Sequence, residues 1–145
     1  MSEKIIYTDM VADLLHYGHL QYLQQIYNRL IKNTNNKLYV GIHNNQDVQV
    51  YKRNPVLTME ERIKILEYFH LIDKIIPNAP VTLTKEYINL HQINTLCVPN
   101  NRTPEELKLM YKIPIELGVK IEYFKYCDQM TTSKIIERIK ERDDL

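Results

Sequence analysis

The sequence of 145 residues contains no tryptophan, three glycines and two cysteines. The two thiols, Cys97 and Cys127, are too few for a disulfide-rich secreted domain and suit a reducing compartment such as the cytoplasm. Neither sign of charge dominates, because 19 Lys and Arg stand against 18 Asp and Glu, and we therefore expect no nucleic-acid partner. No apolar run reaches the length of a membrane span, and Asp9 and Asp13 interrupt the apolar N-terminal stretch, so that we expect neither a membrane anchor nor a secretory signal. These absences leave one globular domain over residues 1–145.

The sequence instead alternates regularly between β-favouring and helical segments. Short apolar runs predict five strands, at Lys4–Tyr7, Leu38–Ile42, Ile72–Ile76, Thr95–Val98 and Lys120–Phe124. Apolar spacing, capping signals and a Gly at the end of one helix predict the helices between them, over 20–31, from Thr58, after Thr84, from Thr103 to Gly118, and over 131–142. This alternation predicts an α/β domain with a Rossmann-like, doubly wound parallel sheet. Ligands of such a fold bind beyond the carboxyl ends of the strands.

The most informative segment follows the first strand and runs from Asp13 to His19. His16 and His19 lie three residues apart at the start of a helix, on one side of its first turn. Their ring N–H groups and the first helical amides can converge on one anion, and Gly18 between them lets a phosphate approach the backbone. The alternatives are two incidental histidines, or a partial zinc site with the two cysteines. Zinc is disfavoured because neither cysteine has a partner at ligand spacing.

Two further polar segments follow predicted strands or begin helices. Lys52 and Arg53 are adjacent cations that could clamp phosphates, although such a pair alone is more often a solvated basic turn. Arg62, in the first turn of the next helix, is more often a surface cation than a ligand. The segment Met130–Ser133 brings three hydroxyls to the start of the last helix, where a cap needs one. Together with the histidines, these segments predict a phosphate site.

In this order, the segments resemble the cytidylyltransferase family of the nucleotidyltransferase superfamily. The sequence His16-Tyr-Gly-His19 is similar to the HxGH signature of that superfamily. The stretch from Lys52 to Arg62 resembles the lysine, proline and Glu-Arg pattern of the family, and Met130–Ser133 resembles its Ile-Ser-Thr-Thr/Ser motif. The stretch Ile72–Pro80 looks most like the ethanolamine-phosphate branch. The resemblance covers nearly the whole chain.

The resemblance implies an enzyme that transfers CMP from CTP to a small phosphomonoester and releases pyrophosphate. Phosphoethanolamine is the first choice of acceptor; choline phosphate, glycerol 3-phosphate and aminoethylphosphonate are the others. Magnesium would enter with the triphosphate, without a metal site of the protein's own, and the chain would form a homodimer. The resemblance implies catalytic roles for His16, His19 and Lys52, and substrate or dimer contacts for Arg53 and Arg62. It implies nucleotide binding by Thr8, Asp9, Met10, Asp13, Gly18, Thr131, Thr132 and Ser133, with Asp13 supporting the histidine turn.

A non-catalytic nucleotide-binding relative, acting as a regulator or partner subunit, is the alternative to an active enzyme. It rests on two segments that differ from the family pattern. Val98-Pro-Asn-Asn101 stands where His-Gly-Asp-Asp is common, and Tyr126-Cys-Asp-Gln129 stands where the family has Arg-Thr-Glu-Gly. Release of pyrophosphate from CTP and an acceptor distinguishes the two hypotheses.

Overall fold

The computed structural model describes residues 2–145, and its centre is a parallel sheet. In chain order the strands are β1 (Ile5–Met10), β2 (Lys37–Ile42), β3 (Lys74–Ile76), β4 (Ile93–Pro99) and β5 (Lys120–Phe124). Their order in space is β3-β2-β1-β4-β5, and every neighbouring pair is parallel. The predicted doubly wound α/β fold with five strands is thereby confirmed.

Within residues 2–145, seven α-helices connect the strands. They are α1 (Tyr17–Ile26), α2 (Asn45–Tyr51), α3 (Met59–Leu66), α4 (Lys85–His91), α5 (Pro104–Met110), α6 (Lys112–Glu116) and α7 (Thr132–Lys140); a π-helical turn, Tyr27–Ile31, extends α1. Local sequence sets most of the helix starts, because a side chain there accepts a first-turn amide that has no partner within the helix. The capping residues of this kind are Asn44, Thr58, Thr84, Thr103 and Thr131.

Two apolar cores cover the two faces of the sheet. On β1, Ile6 packs in a core with Leu23 of α1 and Leu66 of α3, whereas its neighbour Tyr7 belongs to a core with Ile88 of α4. Successive strand residues point to opposite faces, so one strand serves both cores. Full burial of one such aliphatic side chain contributes about 1.5–3 kcal/mol, which allows a domain of this size to fold without disulfides. Both cysteines are free.

Several element boundaries differ from the sequence prediction. Strand β1 continues to Met10, three residues beyond the predicted end, and so carries the backbone into the ligand-binding edge. Strand β3 begins at Lys74 rather than at Ile72. At the preceding residue, the backbone N–H of Asp73 donates to the carbonyl of Leu38 at 2.9 Å, while the Asp73 carboxylate accepts the N–H of Leu38 at 2.8 Å, so that a side chain takes the place of one of the two backbone partners.

Two helices were not predicted as separate elements. Helix α2 lies in a stretch interpreted as a loop, although its cap is visible in the sequence, because Asn44 Oδ1 accepts the N–H of Asp47 at 2.8 Å. The single helix predicted between Thr103 and Gly118 divides at Tyr111 into α5 and α6. Pro114 has no N–H to donate to the carbonyl four residues earlier, and this interrupts the helix.

The strand order fixes where a ligand can bind. The chain passes from β1 through β2 to β3 on one side of the sheet, and then crosses to β4 and β5 on the other. The direction of winding therefore reverses between β1 and β4, and a crevice forms beyond their carboxyl ends. The loop after β1, the loop between α2 and α3, and the loop after β5 meet at this edge.

Candidate active site

A cleft of about 410 Å³ opens at the carboxyl ends of β1 and β4. A smaller cavity of about 130 Å³ adjoins it and shares His19, Lys52 and Thr132 with its lining. Residues more than a hundred positions apart in the chain therefore meet at one edge of the sheet. The residues predicted from sequence that line the cleft are Asp9, Met10, His16, Gly18, His19, Lys52, Thr131, Thr132 and Ser133. Asp13 and Arg53 line the smaller cavity.

The two histidines cap α1 with their ring nitrogens. Nδ1 of His16 accepts the N–H of Gly18 at 3.0 Å, and Nδ1 of His19 accepts the N–H of His16 at 3.2 Å. The arrangement is a reciprocal capping box built from imidazoles, with ring centroids 4.0 Å apart. The two histidines thus have a structural role, because their rings satisfy first-turn amides that otherwise lack partners.

These hydrogen bonds fix the tautomer of both rings. Since Nδ1 accepts in each histidine, the ring proton of the neutral imidazole resides on Nε2. The Thr132 hydroxyl supports this assignment for His16: it donates its hydrogen to the carbonyl of Asp13 at 2.7 Å and lies 3.4 Å from His16 Nε2. The hydroxyl oxygen can then only accept from that ring. Each imidazole therefore presents an N–H donor at Nε2, which is the group that a phosphate oxygen requires.

The surroundings keep both imidazoles uncharged. Burial lowers the pKa of His16 below its ordinary value of 6.5. Burial, reinforced by the neighbouring His16 and Lys52, lowers the pKa of His19 to about 4. Protonation would also place a hydrogen on Nδ1. This hydrogen would point at the backbone N–H that Nδ1 now accepts, and the hydrogen bond would be lost. Near pH 7 the pair consists of two neutral donors.

The loop that carries the histidines is strained and firmly held. Ala12 and Leu14 have φ angles of 57° and 51°, in the left-handed region that side chains rarely adopt. Each such residue costs on the order of 1–3 kcal/mol, and the surrounding contacts must compensate. Asp13 lies between them and is 3% exposed. Its carboxylate accepts the N–H groups of Val56 and Leu57 at 2.8 and 3.0 Å, and so joins this loop to the segment that precedes α3.

The three hydroxyls at the start of α7 have three different partners. Thr131 Oγ1 caps the helix by accepting the N–H of Lys134 at 3.1 Å. Thr132 joins α7 to the histidine loop, as described above. Ser133 Oγ accepts a hydrogen bond from Arg53 Nη1 at 3.1 Å. The sequence predicted a phosphate site here in combination with the histidines, and the hydroxyls of Thr131 and Thr132 also hold the helix to its surroundings.

Gly18 is required for a reason other than the one expected from sequence. A Cβ atom at this position would lie 2.7 Å from the carbonyl oxygen of Met130 and 2.8 Å from Cε1 of His16. The missing side chain therefore lets the loop before α7 and the ring of His16 approach α1 closely. The groups that crowd this glycine belong to the protein, whereas the sequence suggested a phosphate.

The two adjacent cations face the site from the loop between α2 and α3. Partial burial and the neighbouring Arg53 lower the pKa of Lys52 from its ordinary value of 10.5. Neither cation takes part in an ion pair with another described side chain. The smaller cavity has one carboxylate in its lining, that of Asp13, and both of its oxygens accept backbone N–H groups. The positive charge at this edge is therefore offset only in part, by the nearby carboxylate of Asp13.

Arg62 is the clearest correction to the sequence prediction. The side chain is 0% exposed, and its guanidinium donates within the protein to Val11 O at 2.6 Å, His43 O at 2.9 Å, Asn45 Oδ1 at 2.7 Å and Leu57 O at 3.3 Å. A buried side chain with these partners reaches neither a substrate nor a second subunit, and the prediction of such a contact is wrong. Arg62 instead ties the ends of β1 and β2 to the start of α3.

The side chain of Thr8 lies beneath the cleft. It is 1% exposed, and its hydroxyl donates to the carbonyl of Cys97 at 3.1 Å and pairs with Tyr22 Oη at 3.0 Å. The predicted proximity of Thr8 to the nucleotide stays a prediction, and its hydroxyl is engaged within the protein. Tyr22, which sequence reasoning did not single out, lines the cleft in its place. It lies within the predicted helix 20–31 but outside the motifs that indicated a site.

His43 is a further residue that sequence reasoning missed. It is buried at the end of β2, its Nδ1 lies 3.0 Å from the carbonyl of Ala79, and its Nε2 lies 3.6 Å from Asp9 Oδ1. Burial by itself lowers the pKa of His43, but the nearby Asp9 carboxylate, the Ala79 carbonyl and Asp47 together outweigh burial, and the pKa is raised. The sequence feature that could have identified His43 is its position directly after the predicted strand Leu38–Ile42, where this fold binds ligands.

The described chain offers no preformed metal centre. Within residues 2–145, no three His, Cys, Asp or Glu side chains are grouped so that they could hold an ion. Among the same residues, no helix has the length and apolarity needed to cross a membrane.

Fold and cleft together define the class: a Rossmann-like α/β domain with imidazole, ammonium and guanidinium groups at the reversal point of its sheet. Such a set of donors suits phosphate. The chain belongs to the cytidylyltransferase-like family, whose sequence model matches residues 8–138. This confirms the resemblance drawn from the motifs.

Two curated relatives illustrate the similarity. The chain is 30% identical over 137 residues to choline-phosphate cytidylyltransferase 2 of Arabidopsis thaliana, covering 92% of this chain and 44% of the relative. It is 31% identical over 111 residues to the ethanolamine-phosphate cytidylyltransferase of Mus musculus, covering 71% of this chain and 26% of the relative. The chain thus spans less than half the length of either relative.

Solved structures support the fold alone. The lipopolysaccharide core biosynthesis protein of Thermoplasma volcanium GSS1 superposes with a TM-score of 0.66 at 16% identity, over 86% of this chain and 96% of that one. A protein of unknown function from Archaeoglobus fulgidus superposes with a TM-score of 0.60 at 15% identity, over 87% and 93% of the respective chains.

Proposed function

We propose that the chain is a nucleotidyltransferase that moves the CMP group of CTP to a small phosphomonoester and releases pyrophosphate. The observation that carries this proposal is the convergence of two neutral Nε2–H donors, on His16 and His19, with Lys52 in one cleft. Membership of the cytidylyltransferase-like family supports the choice of reaction.

The proposed reaction does not require a strong general base. A phosphomonoester oxygen is already anionic near pH 7. It forms a bond to the α-phosphorus of CTP, while the bond from that phosphorus to the oxygen bridging the β-phosphate breaks and pyrophosphate leaves. The protein must therefore align the reactants and stabilise charge on the transferring group. His16 and His19 donate to its oxygens without gaining or losing a proton, and Lys52 adds a positive charge.

Magnesium fits this site as part of the substrate. The cleft is lined by one carboxylate, Asp9, and each imidazole already uses Nδ1 as an acceptor while Nε2 carries the proton. Mg²⁺ commonly binds to substrate phosphates with one or two carboxylates and several waters. We therefore propose that the ion arrives with the triphosphate, where it supplies charge neutralisation, and that Asp9 is the carboxylate nearest to it.

Phosphoethanolamine remains the first choice of acceptor. An ammonium group requires a carboxylate or an aromatic face. Asp9 and the ring of Tyr22 both line the cleft and meet this requirement. Choline phosphate, glycerol 3-phosphate and aminoethylphosphonate share the phosphate machinery and are the competing acceptors. A homodimer stays a prediction of the resemblance, and a cytoplasmic location stays a prediction from the low cysteine content.

The test is pyrophosphate release with CTP, magnesium and each of the four acceptors in turn. We expect turnover to be highest with phosphoethanolamine, and lower when ATP, GTP or UTP replaces CTP. Replacement of His16 or His19 by alanine removes one donor to the transition state, worth about 3–4 kcal/mol or roughly a hundred- to thousand-fold in rate. His70→Ala is the matched control, because His70 is exposed and lies outside both cavities.

Near-unchanged turnover in both cleft histidine variants would refute the assignment of the site. Binding of CTP without pyrophosphate release from any acceptor would instead favour the alternative of a non-catalytic regulator or partner subunit.

A further inference from the structure

The guanidinium of Arg53 has an unused donor inside the protein. Its Nη1 donates to Ser133 Oγ at 3.1 Å, at the start of α7. Its Nε is buried and, among the side chains of residues 2–145, has no hydrogen-bond partner. A buried N–H of a permanently charged group is costly to leave unsatisfied, because arginine cannot lose its proton to relieve the cost.

The location of this donor indicates what kind of group it accepts. Arg53 lines the cavity of about 130 Å³ together with His19, Lys52 and Thr132, and the last three also line the main cleft. A chain of phosphate groups bound at the histidines can therefore continue into the smaller cavity. Because Ser133 engages Nη1, the opposite edge of the guanidinium, formed by Nε and Nη2, remains as a fork for two oxygens of one phosphate.

We propose that Arg53 binds the terminal phosphates of the nucleotide and, after transfer, the pyrophosphate that leaves. This inference rests on the proposed function and adds to it the direction in which the phosphate chain of the nucleotide runs through the site. The transferring phosphate lies at His16 and His19, and the leaving phosphates extend past Lys52 toward Arg53 and α7. Arg53 thus acts on the leaving group, whereas a surface or subunit contact would leave its buried Nε unexplained.

The test compares the affinities of magnesium pyrophosphate, CTP and CMP for the wild-type chain and three variants by titration calorimetry. Arg53→Gln removes the charge and the fork, and we expect pyrophosphate and CTP to bind 10- to 100-fold more weakly while CMP binds within twofold of wild type. Arg53→Lys restores charge without the fork and should recover part of the loss. Arg138→Gln, an exposed change on α7 away from both cavities, makes the same change in net charge and should leave all three affinities unchanged.

The outcomes separate this inference from the proposed function. If wild type binds pyrophosphate and CTP, and Arg53→Gln binds them equally well, the role of Arg53 is refuted while the proposed function stands. Equal weakening of CMP, or weakening of phosphoethanolamine alone, would likewise overturn it, because the side chain would then act elsewhere. If wild type binds neither CTP nor pyrophosphate, the proposed function fails and this inference fails with it.

Discussion

Acidification should destabilise the fold through His19, and the effect can be worked out from its surroundings. In the folded chain the pKa of His19 is lowered to about 4, first by burial and then by His16 and Lys52. In the unfolded chain the imidazole returns to its ordinary value near 6.5. Between these two values the unfolded state binds a proton that the folded state does not. Stability is therefore complete above pH 6.5 and declines as the pH falls toward 4.

The magnitude follows from the separation of the two values. Lowering the pKa from 6.5 to about 4 corresponds to roughly 3 kcal/mol, which is a large share of the stability of a small domain. Since the raised pKa of His43 acts in the opposite sense and that of His16 in the same sense, the wild-type curve alone does not isolate His19. The difference in unfolding free energy between wild type and a His19 variant, followed over pH, isolates the contribution of His19.

The assay is urea unfolding at several pH values from 7.5 to 4.5, for wild type and His19→Asn. The Asn Oδ1 can accept the N–H of His16 as Nδ1 of His19 does, but it does not titrate. We expect wild type to lose about 2–3 kcal/mol more than the variant over this range. His70→Asn, an exposed histidine, should retain the wild-type pH dependence. Parallel curves for wild type and His19→Asn would refute the conclusion that His19 is buried as a neutral acceptor.

Two further predictions concern residues that hold the site together. Arg62→Met leaves the carbonyls of Val11 and His43 without their donor, and we expect a loss of about 2–6 kcal/mol in urea unfolding, at about 1–3 kcal/mol for each buried acceptor; a loss below about 1 kcal/mol would show that this guanidinium is dispensable. Gly18→Ala forces a methyl group to within 3 Å of Met130 O and the ring of His16, and we expect a loss of about 1–3 kcal/mol in thermal or urea unfolding. Tyr17→Ala, at an exposed neighbour, is its control, and equal effects of the two would contradict the steric explanation.

Much of the fold was predictable because its signals are local. The caps at Thr58 and Thr103 act within three residues, and both occur in the structure as capping boxes. Some of the boundaries that failed were set by distant partners. The start of β3, for example, depends on where Asp73 meets Leu38, and this contact spans 35 positions.

The same distinction applies to the site. The spacing of His16 and His19 was sufficient to predict that they lie together, since one helical turn joins them. The misassignment of Arg62 arose because a sequence does not reveal depth. A charged residue in the first turn of a helix is usually solvated, and Arg62 is buried because four oxygen atoms from the ends of β1 and β2 and from its own loop surround its guanidinium.

The sequence by itself determined the alternation of strands and helices, the family, and the three polar segments that reach the ligand-binding edge. Tertiary structure alone decided that the Thr132 hydroxyl meets His16 Nε2 across 116 positions while it donates to the carbonyl of Asp13. It also decided that Arg53 meets Ser133 across 80 positions and keeps one donor unsatisfied. The physical reason is that hydrogen-bond partners and burial depend on the packing of the whole chain, whereas periodicity and capping depend on the nearest few residues.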